Sequence, residues 1–193
     1  MMRSAAAVAG LALVWLCAAG AGAAEAPASP APLTGGEALK DGDPLKGDWR
    51  AVGSELANGD QAVRIFIDAG HMARKGDIGR LRLVLMTTEP ISSPAGHLAL
   101  GVVADVEFDC ANPRSRGLNQ GFADGPPLNR FEADNDDPTP GVWDPDDAPD
   151  GGDLPAGLIA SLRQAACGPS PPAGPGAADP FQARLAWLAS RPH

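Results

Sequence analysis

The sequence predicts an α+β fold, an antiparallel meander of about six short strands with a C-terminal helix packed on it and tied to it by a disulfide. Three observations carry this. Runs with apolar residues at alternate positions recur from Trp49 to Glu132, strictly alternating with acidic ones over Asp105 to Cys110 and separated by turn-forming residues, as antiparallel strands require. An amphipathic run follows, with Leu154, Leu158 and Leu162 at every fourth residue, which is a helical stripe. Two cysteines, Cys110 and Cys167, lie beyond an N-terminal export signal, and an even pair in an exported chain implies one disulfide.

Residues 1–24 read as a Sec-type signal peptide. Met1-Met2-Arg3 is a short basic start, Ala5 to Ala19 is apolar, and small residues place cleavage after Ala23 or Ala24. The apolar run falls short of the roughly 18–20 residues that span a bilayer, so no membrane span is expected in the mature chain. Leu16 stands before Cys17, where a lipobox has a small residue, which disfavours lipid anchoring. The expected location is the periplasm or the cell surface. Residues 25–44, rich in Ala and Pro, read as a disordered spacer.

The domain is expected over 45–168. Trp49 anchors a first strand in the core, and Asn58-Gly59 turns it. Val63, Ile65 and Ile67 alternate with Arg64, Phe66 and Asp68 in a second strand. After the turn at Arg74-Lys75-Gly76-Asp77, Leu81, Leu83 and Leu85 mark a third. Pro90 to Gly96 breaks the sheet. In the next strand Val106, Phe108 and Cys110 point inward, with Phe108 a core anchor, and Asp105, Glu107 and Asp109 form an acidic ladder on the other face. Arg116 to Phe122 is a fifth strand, with Leu118 and Phe122 inward, and Leu128 to Glu132 a sixth. Residues 132–153 hold nine Asp or Glu interleaved with prolines and read as a solvated acidic loop pinned by a third anchor, Trp143. Asp153 caps the helix that ends at Cys167 and Gly168-Pro169, and Cys167 would reach Cys110. Residues 169–193 read as a Pro/Gly linker with a short amphipathic tail; whether its 179–191 helix docks is open.

Composition narrows function. A formal charge of −9 disfavours nucleic acid and anionic lipid as partners. Aromatics make up 5% with no Tyr, which argues against an aromatic-lined sugar or nucleotide platform. There is no G-x-S-x-G, Walker A or G-x-G-x-x-G, and no C-x-x-C, so the cysteines read as a staple without a redox role. His71 and His97 lack metal-ligand spacing and read as surface or strand-end residues. Asp144, Asp146, Asp147 and Asp150 offer oxygen ligands for calcium but not in EF-hand spacing. The acidic ladder reads as a solvated face. Arg64, Arg80, Arg82, Arg114 and Arg116 neutralise it, each exposed pair contributing at most about 1 kcal/mol. No cofactor, metal or catalytic residue is assigned, and the expected mechanism is non-catalytic binding to a protein partner.

Trp49, Ile65-Phe66-Ile67-Asp68 and Val106-Glu107-Phe108-Asp109-Cys110 followed by Arg114 and Arg116 resemble the surface-adhesin protein E-like family. So do Phe122-x-Asp124-Gly125, Trp143-x-Pro145 and the helix closing at Cys167. The resemblance covers Asp48 to Cys167. It implies a PAS-like antiparallel sheet with a disulfide-linked C-terminal helix. It also implies adhesion, since the best-known member is a bacterial surface lipoprotein that binds extracellular-matrix and serum proteins and epithelial cells. The expected function is therefore an exported binding protein that engages host or cell-surface proteins. The alternative is a periplasmic small-molecule-sensing or envelope accessory module. The matching residues read as scaffold, so no ligand-binding position is carried over.

Overall fold

A computed structural model describes residues 38–58, 61–126, 128–134, 141–145 and 156–191. The signal peptide with Ala23 and Ala24, the calcium candidates Asp146, Asp147 and Asp150, and the cap Asp153 lie outside the described residues. In chain order the strands are β1 (Trp49–Asn58), β2 (Gln61–Asp68), β3 (Ala73–Lys75), β4 (Ile78–Ser92), β5 (Leu98–Asp109), β6 (Arg114–Asp124), β7 (Arg130–Ala133) and β8 (Asp144–Pro145). Two helices follow, α1 (Ala156–Cys167) and α2 (Pro180–Ser190). All pairings are antiparallel in the order β1-β2-β4-β5-β6-β7, with β3 on β4 and β8 on β6. The antiparallel sheet with a disulfide-linked helix is as predicted. The strands outrun their expected ends: β4 passes through Pro90 to Ser92 by means of a bulge between Met86 and Ile91.

Alternation sorts β4 onto two faces. Leu81, Leu83 and Leu85 join Val63, Ile65, Ile67 and Phe108 beneath Leu158, Leu162, Ala165 and Ala166 of α1. A Cβ on Gly79 would run into the Ala166 carbonyl, so glycine is what lets the end of α1 lie close on β4. The Arg163 guanidinium donates to the carbonyls of Asp109, Asn112 and Arg114. The Cys110–Cys167 disulfide, with Cα atoms 5.5 Å apart, closes the same corner.

The opposite face is covered too. Phe66, Val84, Met86, Val103, Ala123 and Phe131 pack with Leu45, Trp49 and the α2 residues Phe181, Ala183 and Trp187. The Asp179 side chain accepts from the Gln182 N–H (2.8 Å) and caps α2. Buried Arg184 donates to the Thr87 and Thr88 carbonyls at 2.7 and 2.5 Å. The amphipathic tail therefore docks, and the core continues past the 168 boundary that composition suggests. The end of the spacer is ordered as well. Gly42 donates to the Phe131 carbonyl and Phe131 to that of Asp43, at 2.9 and 2.8 Å, before the chain crosses to β1. Trp49 and Ala177 exchange two backbone hydrogen bonds at 2.9 and 3.0 Å, seating the Pro/Gly segment on β1.

Trp49 and Phe108 are buried in opposite clusters, whereas Trp143 is half-buried with Arg114 and Arg116 over its ring at 5.1 and 4.6 Å. Leu118 and Phe122, expected inward, are also half-buried; the bulge in β6 falls on Leu118, which has no partner in β5. Among the described residues no helix is long and apolar enough to cross a membrane.

The disulfide closes a loop with a sequence separation of 57, for which loop-closure entropy gives about 4 kcal/mol. Cys110→Ala or Cys167→Ala should therefore lower the melting temperature of the oxidised protein by on the order of 10 °C, read by circular dichroism. Phe181→Ala should cost about 3–5 kcal/mol in urea denaturation, and truncation after Ala178 should abolish cooperative unfolding.

Candidate functional site

The acidic ladder is not solvated. Asp105, Glu107 and Asp109 are at most 4% exposed, because α2, the 38–48 segment and Trp143 all lie on their side of the sheet. Arg82 grips Asp105 through Nε and Nη2 at 2.9 and 3.2 Å, and Arg80 reaches the same carboxylate at 3.4 Å. Arg116 closes on Glu107 Oε2 at 3.0 and 2.7 Å. Burial changes the magnitude. An exposed pair contributes at most about 1 kcal/mol, but stripping one partner from a buried pair costs about 3–5 kcal/mol. These three arginines and two carboxylates are engaged with one another and hold strands together.

At the end of the ladder, burial would raise the Asp109 pKa, but donors outweigh it. The Asn112 side chain and Arg114 Nε donate to Oδ2 at 2.9 and 2.7 Å, and the Ala111 and Asn112 N–H groups to Oδ1 at 3.0 and 3.1 Å. They hold the carboxyl below its ordinary value.

The two histidines each meet carboxylates. Asp68 is fully buried and accepts from the Asp48 and Gly70 N–H groups at 3.0 and 2.9 Å, with His71 Nδ1 at 2.5 Å. This caps the turn over Ala69–His71; no hydroxyl or thiol hydrogen-bonds His71 among the described residues. His97, at the strand end where its position suggests, has Nδ1 2.9 Å from Glu132 Oε2 and 3.6 Å from Asp124 Oδ2. Glu132, expected both to end the sixth strand and to open the solvated loop, lies in β7 and is buried. Burial, and then hydrogen bonding with Glu132, pushes the Asp124 carboxyl up. For Glu132 burial acts upward too, but hydrogen bonds with Ser93, His97 and Asp124 outweigh it and lower its pKa. Sequence spacing hides this trio, because His97 and Glu132 are 35 residues apart.

A cleft of about 610 Å³ opens between α2, the Pro/Gly segment 173–177 and the β1–β2 face. Trp49, Phe66 and Trp187 supply its aromatic surface, and Glu55, Arg64 and Arg191 its charge. Trp187 Nε1 donates to Glu55 Oε2 at 2.7 Å and Arg191 Nη2 to Oε1 at 3.1 Å; led by the Trp187 bond, they lower the Glu55 pKa. Arg64 makes no hydrogen bond or close ion pair among the described residues, and its charge reaches Glu55 only through space. Of the predicted arginine set, Arg64 is thus the one placed away from the ladder. No family model, curated protein or solved structure matches this chain.

Asp109 contributes a pH dependence. Its folded pKa lies below its unfolded one, so its stabilisation is complete above about pH 4 and is lost as pH falls through the lower folded value. Asp109→Asn should flatten the acid limb of the stability–pH curve below pH 4 and lower stability at pH 7, measured by urea titration at each pH.

Proposed function

We propose that this chain is an exported, non-catalytic binding protein that holds a small anionic molecule with an apolar body in the cleft under α2. The carrying observation is the cleft itself. Its volume of about 610 Å³ lies in the range of roughly 300–1,000 Å³ typical of small-molecule sites, which are mostly apolar with a few placed polar groups. The cleft's apolar lining, with buried Trp49, Phe66 and Trp187 at its base, suits an apolar body, and Arg64, without a close partner among the described residues, suits a carboxylate or sulfonate. This is the ligand-sensing alternative. The Cys110–Cys167 bond supports export into an oxidising compartment. The resemblance to the surface-adhesin protein E-like family supports export as well. Engagement of a matrix protein rests on that resemblance alone, and a concave cleft favours the smaller ligand.

The anionic aromatic dye 8-anilinonaphthalene-1-sulfonate is a suitable probe. It should bind the native protein with enhanced fluorescence, and Arg64→Glu should weaken binding by about tenfold or more without lowering the melting temperature. Equal binding by wild type and variant would count against the cleft. Native mass spectrometry of protein released gently from its own envelope should show a retained ligand; a bare polypeptide mass would oppose the reading.

A further inference from the structure

The trio at the β5–β7 end of the sheet carries a separate inference. Glu132 pairs with Phe122, Phe122 with Val102, and Val102 with Leu85, so Glu132 and Asp124 project from the α1 side of the sheet, opposite the cleft. The ligand atoms of His97, Asp124 and Glu132 all lie within 4.8 Å of one another. We propose that His97 Nδ1, one Asp124 oxygen and Glu132 Oε2 bind a single divalent transition-metal ion, with Zn²⁺ the best match.

Spacing is the first support. Bonds of about 2.0–2.2 Å, as Zn²⁺ makes to imidazole and carboxylate, place neighbouring ligand atoms about 2.8–3.8 Å apart at angles between square and trigonal. The Nδ1 separations of 2.9 and 3.6 Å fit that span. An unmet polar group is the second. Asp124 is fully buried, yet among the described residues its Oδ1 has no hydrogen-bond donor, and its carboxylate lies against that of Glu132, another acceptor. Arg130 Nε reaches only Oδ2, at 3.3 Å. With the His97 imidazole neutral, as a metal ligand must be, two buried carboxylates facing one half-exposed guanidinium leave negative charge that a cation neutralises.

The surroundings also suit a metal. Ser93 Oγ donates to Glu132 Oε2 at 3.0 Å and accepts from the His97 N–H at 3.2 Å, so one hydroxyl orients two ligands. The His97 side chain is 42% exposed, which leaves the ion an entry path and open positions for water. One imidazole with two carboxylates is a borderline donor set that suits Zn²⁺ better than the all-oxygen cages of calcium.

The competing occupant is a proton, on His97 or shared by Asp124 and Glu132, and the experiment separates it from a metal ion. Untagged full-length protein, stripped with chelator, is titrated with zinc chloride by calorimetry. One ion per chain should bind, reversed by chelator. At a hundredfold excess over Kd the melting temperature should rise by on the order of 5–10 °C. His97→Ala should weaken uptake by more than the roughly 10–100-fold that follows loss of a supporting hydrogen bond, while keeping the metal-free melting temperature. Glu132→Gln, nearly isosteric, should do the same if His97→Ala disturbs folding. Absence of saturable uptake of zinc or manganese by wild type would overturn the proposal. So would undiminished uptake by both variants. Asp124→Asn raising the metal-free melting temperature in a wild-type background that ignores zinc would assign the site to the shared proton.

Discussion

Across β4 and β5 the Arg82 guanidinium meets Asp105 through two nitrogens, and across β5 and β6 Arg116 closes on Glu107. These groups sit in the middle of a sheet covered on both faces, so their partners are not interchangeable with water. A slip of one residue in β5 would turn Asp105 and Glu107 toward α1 and leave the arginines facing apolar side chains. An uncompensated buried charge costs several kcal/mol, which adds to the cost of turning the strand's apolar side chains to the wrong face. The pairing that satisfies these charges also aligns Leu81, Leu83 and Leu85 under α1 and brings Cys110 to Cys167. Register, helix docking and the covalent tie thus follow from one set of contacts.

Much of this was legible in the residues. Alternation in Val63 to Ile67 and in Leu81 to Leu85 marks two faces, and the spacing of Leu158 and Leu162 marks the helix that covers one of them. Two cysteines beyond an expected export signal mark a bond. The second cover left no comparable signal. Alternation says that two faces of a strand differ, not that the polar one is wet. The elements that bury the ladder come from stretches rich in Pro and Gly, where periodicity is weak, and from a helix whose apolar residues could serve a partner equally well. The His97, Asp124 and Glu132 cluster was hidden for another reason. Its members come from a turn and two strand positions that only the β5–β6–β7 pairing brings together.

Location within the sheet separates charges that hold the fold from charges left for chemistry. In the centre every carboxylate of the ladder meets an arginine, and donors complete Asp109 at the corner. At the margins the matching is incomplete: Arg64 stands in the cleft without a close partner among the described residues, and Asp124 keeps an oxygen without a donor. The two margins lie on opposite faces, with the paired centre between them. A ligand at either one can therefore alter local charge without competing for the contacts that set strand register.

The disulfide encloses β6, β7, β8, the acidic segment and α1 in a single covalent ring with a sequence separation of 57. Breaking one peptide bond inside a ring opens it but does not divide the molecule. An extracellular protease that cuts the acidic, proline-rich stretch would leave α1 attached through sulfur and still lying on β4. For the same reason the sequence on either side of β8 can change in length while α1 stays tied to Cys110 through sulfur.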